Sequence, residues 1–268
     1  MAEYIHGYSD TESQRLRDQG QTLEQMLHAG VRFPKGATVL EAGCGVGCQT
    51  VTLAQNSPGA QFVSIDQSAE SVDEARQAVE AAGLTNVTLQ QADVYDLPFD
   101  DSQFDHIFVC WVLEHLPKPV VALKALKRLL KKDGTITVIE GDHASCFFRP
   151  KSKAAQKLWD CLIAMEKQGG ADPTIGRFLS PLLRTAGFAD IAISPLVVYA
   201  DHNTPELMTG FVEKAMIEMM AGMRDKALDG QFTNQEEWDR GMADFHKILS
   251  EPAGAFSLTI YKATAMQV

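Results

Sequence analysis

No stretch of this 268-residue chain approaches the ~18–20 consecutive apolar residues that a membrane-spanning helix requires, so a bilayer span is excluded from the outset. The first twenty residues are polar and contain no apolar core of the kind a secretory leader carries. Basic residues are in the minority. Lys and Arg number 24 against 35 Asp and Glu, and the net charge of −11 argues against a nucleic-acid partner, which would call for a basic face. The one dense basic cluster, Lys124, Lys127, Arg128, Lys131 and Lys132, alternates with apolar residues at helical spacing and reads as the solvated side of a helix. Cysteine is scarce and odd in number: Cys44, Cys48, Cys110, Cys146 and Cys161, with no C-x-x-C. That pattern supports neither a disulfide framework nor a zinc site, and it suggests free thiols in a reducing cytosol. No Ser-His-Asp triad order, metal-ligand spacing or Walker loop is visible, so no metal is expected. The expectation is a cytoplasmic protein, one large domain or a domain plus a cap, long enough to bury its core without covalent help.

What the chain does have is a glycine turn in a telling place. Val39 and Leu40 read as the end of a buried strand, and Glu41-Ala42-Gly43-Cys44-Gly45-Val46-Gly47 follows before a helix opens near Cys48. Residues lacking a Cβ let backbone turn tightly and approach a ligand, with helix N–H groups pointing at it. A plain strand-to-helix turn is the bland alternative. Asp66 ends the next apolar run, 61–65, where a carboxylate can accept both hydroxyls of a ribose; the bland alternative is a charge at a helix N-terminus. The dinucleotide fingerprint is G-x-G-x-x-G. Here the spacing is G-x-G-x-G, and Cys48 stands where the third glycine would be needed. Asp93 follows a third strand.

This ordered set, Glu41, Gly43, Gly45, Gly47, Asp66 and Asp93, resembles class I S-adenosylmethionine-dependent methyltransferases. The stretches 96–105 (DLPFDDSQFD) and 112–116 (VLEHL) look like the small-molecule branch that includes ubiquinone and menaquinone methyltransferases. The resemblance covers residues 37–143. It implies S-adenosylmethionine as cofactor, held by Gly43, Cys44, Gly45, Gly47, Asp66 with neighbouring Gln67, and Asp93 with Val94. Glu41 would orient the loop or meet the cofactor's amino group. By the same resemblance the backbone of Cys110, Trp111 and His115 lies along the methionine portion. Base-modifying relatives carry an Asn/Asp-Pro-Pro-aromatic motif here; Cys110-Trp111-Val112-Leu113 departs from it, which argues against a flipped nucleobase as acceptor. An N-terminal segment folds over the cofactor in such proteins. Arg15 would pair with the cofactor carboxylate, and Tyr4 or Tyr8 would cover the sulfonium.

The pattern along the chain predicts an α/β, Rossmann-like, doubly wound sheet of seven strands, mostly parallel with an antiparallel last strand, under a helical cap. Residues 1–36 form an N-terminal helical segment and 37–143 the cofactor-binding core. Residues 144–190 form a helical connection. Residues 191–268 hold strands six and seven with a cap inserted at about 202–252. Pro195 suggests that strand six is an edge or carries a bulge. Asp142 and His143 follow strand five at the rim, and His143 is the candidate general base. In the aromatic-rich remainder, Phe147, Phe148, Trp159, Phe178 and Phe211 are the candidate lining of the acceptor pocket. The expected reaction is methyl transfer from S-adenosylmethionine to a small, partly apolar acceptor on O, N or C by direct displacement, and the cap could supply a homodimer interface. The rivals are a nicotinamide-dependent oxidoreductase and a cofactor-binding module without turnover.

Overall fold

The computed structural model describes residue 7 and residues 9–268. The chain opens with α1 (Asp10–His28), which Ser9 caps by accepting the Glu12 N–H. It then alternates: β1 (Thr38–Ala42), α2 (Cys48–Asn56), β2 (Gln61–Asp66), α3 (Ala69–Ala81), β3 (Val87–Gln91), β4 (Phe104–Cys110), α4 (Pro119–Leu129) and β5 (Leu130–Arg149). Next come α5 (Lys153–Gln168), α6 (Leu179–Ala186) and β6 (Ala189–Asp201). Between β6 and β7 (Ala255–Met266) lie α7 (Pro205–Leu207), a π-helical stretch (Met208–Ile217), α8 (Glu218–Gly222), α9 (Arg224–Asp229) and α10 (Gln235–Ser250).

The seven strands form one sheet in the order β3-β2-β1-β4-β5-β7-β6. The first five pair in parallel, and β7 runs antiparallel between β5 and β6. The sheet is the expected seven-stranded, mainly parallel one. Ile107, Phe108 and Val109 of β4 are completely buried, as a central parallel strand covered on both faces must be. One face packs on α1, α2, α5, the π-helix and α10; the other packs on α4 and α6. Pro195 sits in β6, the edge strand, so no neighbour requires its missing N–H on the open side.

Two expectations need correction. Strand five does not end before Asp142. The Asp133-Gly134 turn is a bulge within it: pairing jumps from Phe104↔Leu130 to His106↔Thr135, with Asp133 at φ 63°. The strand then continues as far as Arg149 along β7, through a second irregularity between Asp142 and Phe147. So residues 144–149 are strand rather than the start of a helical connection. In addition, the cap expected at about 202–252 is not continuous regular helix: its residues 205–229 run in four pieces, one of them π-helical. Gly210 explains the close seating of that piece on α1, because a Cβ there would lie 2.1 Å from Thr22 Oγ1.

Candidate functional site

The carboxyl ends of β1, β2 and β4 converge on a cavity of about 240 Å³. A single water needs only ~10–15 Å³, so this is room for a ligand rather than a packing defect. Ligands in open α/β sheets bind at this end of the strands.

The glycine turn forms the floor. Gly43, Gly45 and Gly47 all take positive φ, at 79°, 50° and 85°. Gly43 and Cys44 both donate to the Ile65 carbonyl, at 2.8 and 2.9 Å, which ties the turn to the end of β2. Asp66 completes the tie: its Oδ2 accepts the Gly45 N–H and its Oδ1 the Ser68 N–H, each at 2.9 Å. A carboxylate has about four acceptor positions, so roughly two remain to face the cavity. Burial pushes this carboxyl up, against the pull of those N–H groups.

The glycines differ in their reasons. Gly43, Cys44 and Gly45 line the cavity, whereas Gly47 does not. Gly47 packs on α3 instead; a Cβ there would lie 2.9 Å from the Ala75 Cα. A Cβ on Gly43 would lie 2.2 Å from Val112 Cγ2, while one on Gly45 would meet nothing within 4 Å. Left-handed backbone costs an L-residue roughly 1–2 kcal/mol at either position. Gly43→Ala is therefore expected to lower both thermal stability and S-adenosylhomocysteine affinity more than Gly45→Ala does. Calorimetry on the two variants checks this, and equal losses would show that the Val112 contact is unimportant.

Glu41 stands below the turn, away from the cavity wall. Only 2% exposed, its carboxylate accepts Thr50 Oγ1 at 2.6 Å and Ser64 Oγ at 2.7 Å, and burial pushes its carboxyl up to about 7. It pins α2 to β2.

Gln67, Asp93 and Val94 lie on the cavity wall, as does Tyr95. Asp93 Oδ1 accepts the Tyr95 N–H at 2.9 Å. Across the cavity stand Cys110, Trp111 and His115. Trp111 has φ 54°, a strained conformation for a large aromatic residue, and such strain persists only where the surroundings enforce it. Glu140 does so. Its Oε1 accepts the N–H groups of Val112 and Leu113 at 3.0 and 2.7 Å, which folds residues 113–115 into a 3₁₀ turn. Glu140 is fully buried, and burial holds its carboxyl well above the usual range. The only trace of it in the sequence is an acid closing the apolar run 136–139.

Arg15 also reaches the cavity, but its guanidinium is engaged by Glu12, at 2.6 and 2.7 Å, and by Gln19 at 2.7 Å. Tyr4, His6 and Tyr8 lie outside the described residues.

His143 lines the cavity in a different state from the expected one. Its Nδ1 is 3.1 Å from Glu166 Oε2, with both residues buried. Burial pushes the imidazole down, but the Glu166 carboxylate and its hydrogen bond outweigh this and hold it up at about 9. His143 thus carries its proton at neutral pH and is not a free base. Asp142 beside it is taken up by Arg177, at 2.7 and 2.8 Å. A histidine whose folded pKa exceeds 6.5 adds stability that is complete below 6.5 and lost as pH rises through about 9. The melting temperature should accordingly fall from pH 6.5 to 9, and Glu166→Gln should remove that part of the slope. A wild-type melting temperature that rises over this range would contradict the ion pair.

Of the five aromatics expected to line an acceptor pocket, only Phe211 does. Phe147 and Phe178 are 42% and 47% exposed, pointing outward. Phe148 alternates with Phe147 along β5 and so turns into the core. Trp159 is 1% exposed; it packs against Phe245 and Phe256 and donates from Nε1 to the His143 carbonyl at 2.8 Å. Met216 and Met219 of the Met-rich cap also line the cavity, and the walls that sequence reasoning missed include Glu12, Glu114 and Glu166. Glu114 precedes His115 in VLEHL and was overshadowed by it, and Glu166 sits unmarked in an amphipathic helix.

Comparison with known proteins agrees with this geometry. The methyltransferase domain family matches residues 40–138. An uncharacterised methyltransferase of Schizosaccharomyces pombe is 31% identical over 147 residues, 53% of this chain and 52% of that one. The demethylmenaquinone methyltransferase of Staphylococcus aureus is 33% identical over 116 residues, 43% of this chain and 46% of that one. The chain thus spans about half the length of these relatives. Among solved structures, Haemonchus contortus phosphoethanolamine N-methyltransferase 2 in complex with S-adenosyl-L-methionine superposes with a TM-score of 0.58, covering 92% of this chain and 52% of that one. At 17% identity that likeness speaks to the fold alone. Residues 40–138 thus match a methyltransferase domain, and the seven-stranded topology and the glycine-turn cavity are consistent with that match.

Proposed function

We propose that this chain transfers a methyl group from S-adenosylmethionine to a small, partly apolar acceptor by direct displacement. The observation that carries the reading is the arrival of Gly43, Gly45, Asp66, Asp93 and Trp111, from four separate segments, on the wall of one cavity. These residues fit the cofactor's chemistry. Asp66 keeps acceptor capacity for ribose hydroxyls, and Asp93 for an exocyclic amine. The glycine turn brings backbone to the cavity without side chains, and Trp111 offers an aromatic face to a sulfonium. When bound, S-adenosylmethionine supplies a methyl carbon already activated by its sulfonium, leaving S-adenosylhomocysteine once the acceptor has taken the methyl.

The chain's own residues then have chiefly to align and to exclude water. The helical stretch between β6 and β7 serves as a cap: Phe211, Met216 and Met219 close the cavity with apolar side chains, and Met adapts to irregular ligands. Glu140 keeps Trp111 in place. With His143 already protonated, proton removal from an acceptor is not its task.

Isothermal titration with S-adenosylmethionine and S-adenosylhomocysteine tests the reading, followed by mass spectrometry of candidate acceptors for a gain of one methyl. Folded protein that binds neither compound would sink it.

A further inference from the structure

The charges on the cavity wall do not balance. Among the described residues, five carboxylates line it: Glu12, Asp66, Asp93, Glu114 and Glu166. Against them stand the Arg15 guanidinium and the His143 imidazole, with His115 alongside. Arg15 pairs with Glu12 and His143 with Glu166. Asp66 and Asp93 spend part of their acceptor capacity on backbone N–H groups and belong to the ribose and adenine side of the reading above.

Glu114 is left over. It is 8% exposed, and it sits on the 3₁₀ turn after β4, on the wall shared with His143 and Glu166. Its carboxylate accepts no hydrogen bond from any described residue; His115 Nε2 lies 3.4 Å away, and the His143 and Arg15 cations act on it as well. Buried carboxylates ordinarily have their acceptor capacity met. Burial pushes this one up to about 7, with His143 and Arg15 pulling it down and Glu166 and Asp172 adding to the rise. A positively charged group entering the cavity would supply the donor that the described residues do not. The surrounding wall suits such a ligand: Trp111 and Phe211 offer aromatic faces, and Met216 and Met219 offer apolar surface.

We propose that the acceptor is an amine: a small molecule with an apolar body and a basic nitrogen that docks on the Glu114 carboxylate. This rests on the methyltransferase reading for the placement of the cofactor on the Asp66–Asp93 side. It excludes anionic acceptors, which would meet a surplus of carboxylates. Glu114 is assigned to recognition, and the assignment leaves open which atom of the acceptor is methylated.

The test uses three probes of one shape and different charge: phenethylamine, phenethyl alcohol and phenylacetate. Each is titrated calorimetrically into the full chain, alone and saturated with S-adenosylhomocysteine. The amine should bind at least about tenfold more tightly than the alcohol, the scale of one hydrogen bond to a charged group, with phenylacetate weakest. Glu114→Gln should bring amine and alcohol to within about twofold while leaving S-adenosylhomocysteine affinity unchanged, since the carboxylate is assigned to the acceptor alone. Should that variant not fold, the wild-type ranking decides by itself. An alcohol or acid that binds as well as the amine, or absence of binding by all three, overturns the proposal. So does a Glu114→Gln protein that keeps the preference. Failure of S-adenosylhomocysteine to bind would instead refute the cofactor reading, and the ranking measured without it would still judge Glu114.

Discussion

Trp159→Ala is expected to destabilise the protein by about 3–5 kcal/mol, the range for losing a large aromatic from a packed core. Trp159 is completely enclosed, with Phe245, Phe256 and the His143 ring around it. Its indole N–H also holds the His143 carbonyl, so alanine leaves both a cavity and an unmet buried acceptor. Trp159→Phe separates the two effects: most of the volume stays, and the hydrogen bond, worth about 1 kcal/mol, is lost. Urea denaturation measures both. A pocket-lining tryptophan would behave differently, altering ligand affinity while stability held. A loss below about 1 kcal/mol for alanine would mean that Trp159 is not the core element its burial indicates.

Asp66→Ala is expected to weaken S-adenosylmethionine binding by about 1–3 kcal/mol, since it leaves the ligand's hydroxyls without their charged acceptor. The structure adds a second effect. Asp66 also receives the Gly45 and Ser68 N–H groups, so alanine loosens the glycine turn and the N-terminus of α3 together. Asp66→Asn keeps the shape but turns an amide N–H₂ toward one of those two donors, and should fall between the two proteins. Isothermal titration gives the affinity and thermal melting the stability. An unchanged affinity with a lowered melting temperature would reduce Asp66 to a structural tie; the reverse would leave it a pure ligand contact.

Most of the fold was legible because its signals are local. The apolar run 61–65, the glycine turn 43–47 and the edge signal of Pro195 depend on neighbours within a few residues. The misplaced strand end shows the limit. Residues 141–149 do not read as a strand, because what holds them extended is β7, more than a hundred residues later. Non-local pairing overrides local preference in such segments. The aromatics failed for a related reason. Helical or strand periodicity says that a side chain faces inward without saying toward what. Phe148 and Trp159 face core, Phe211 faces the cavity, and Phe147 and Phe178 face solvent.

The sequence by itself determined the architecture and the placing of the glycine turn and its companion acids. Gly43, Gly45, Asp66 and Asp93 fall at the ends of successive strands, and a parallel sheet brings the carboxyl ends of its strands to one edge whatever else the chain does. Tertiary structure alone decided the ionisation and partners of the groups in the cavity. His143 is a proton carrier because Glu166, twenty-three residues away on another element, lies 3.1 Å from it. Glu140 is a clamp because the turn after β4 folds back onto it. Glu114 accepts no hydrogen bond from the described residues because Arg15 and His143 turn to Glu12 and Glu166 instead. Charge state follows burial and distance, and both are properties of the folded chain rather than of its order of residues.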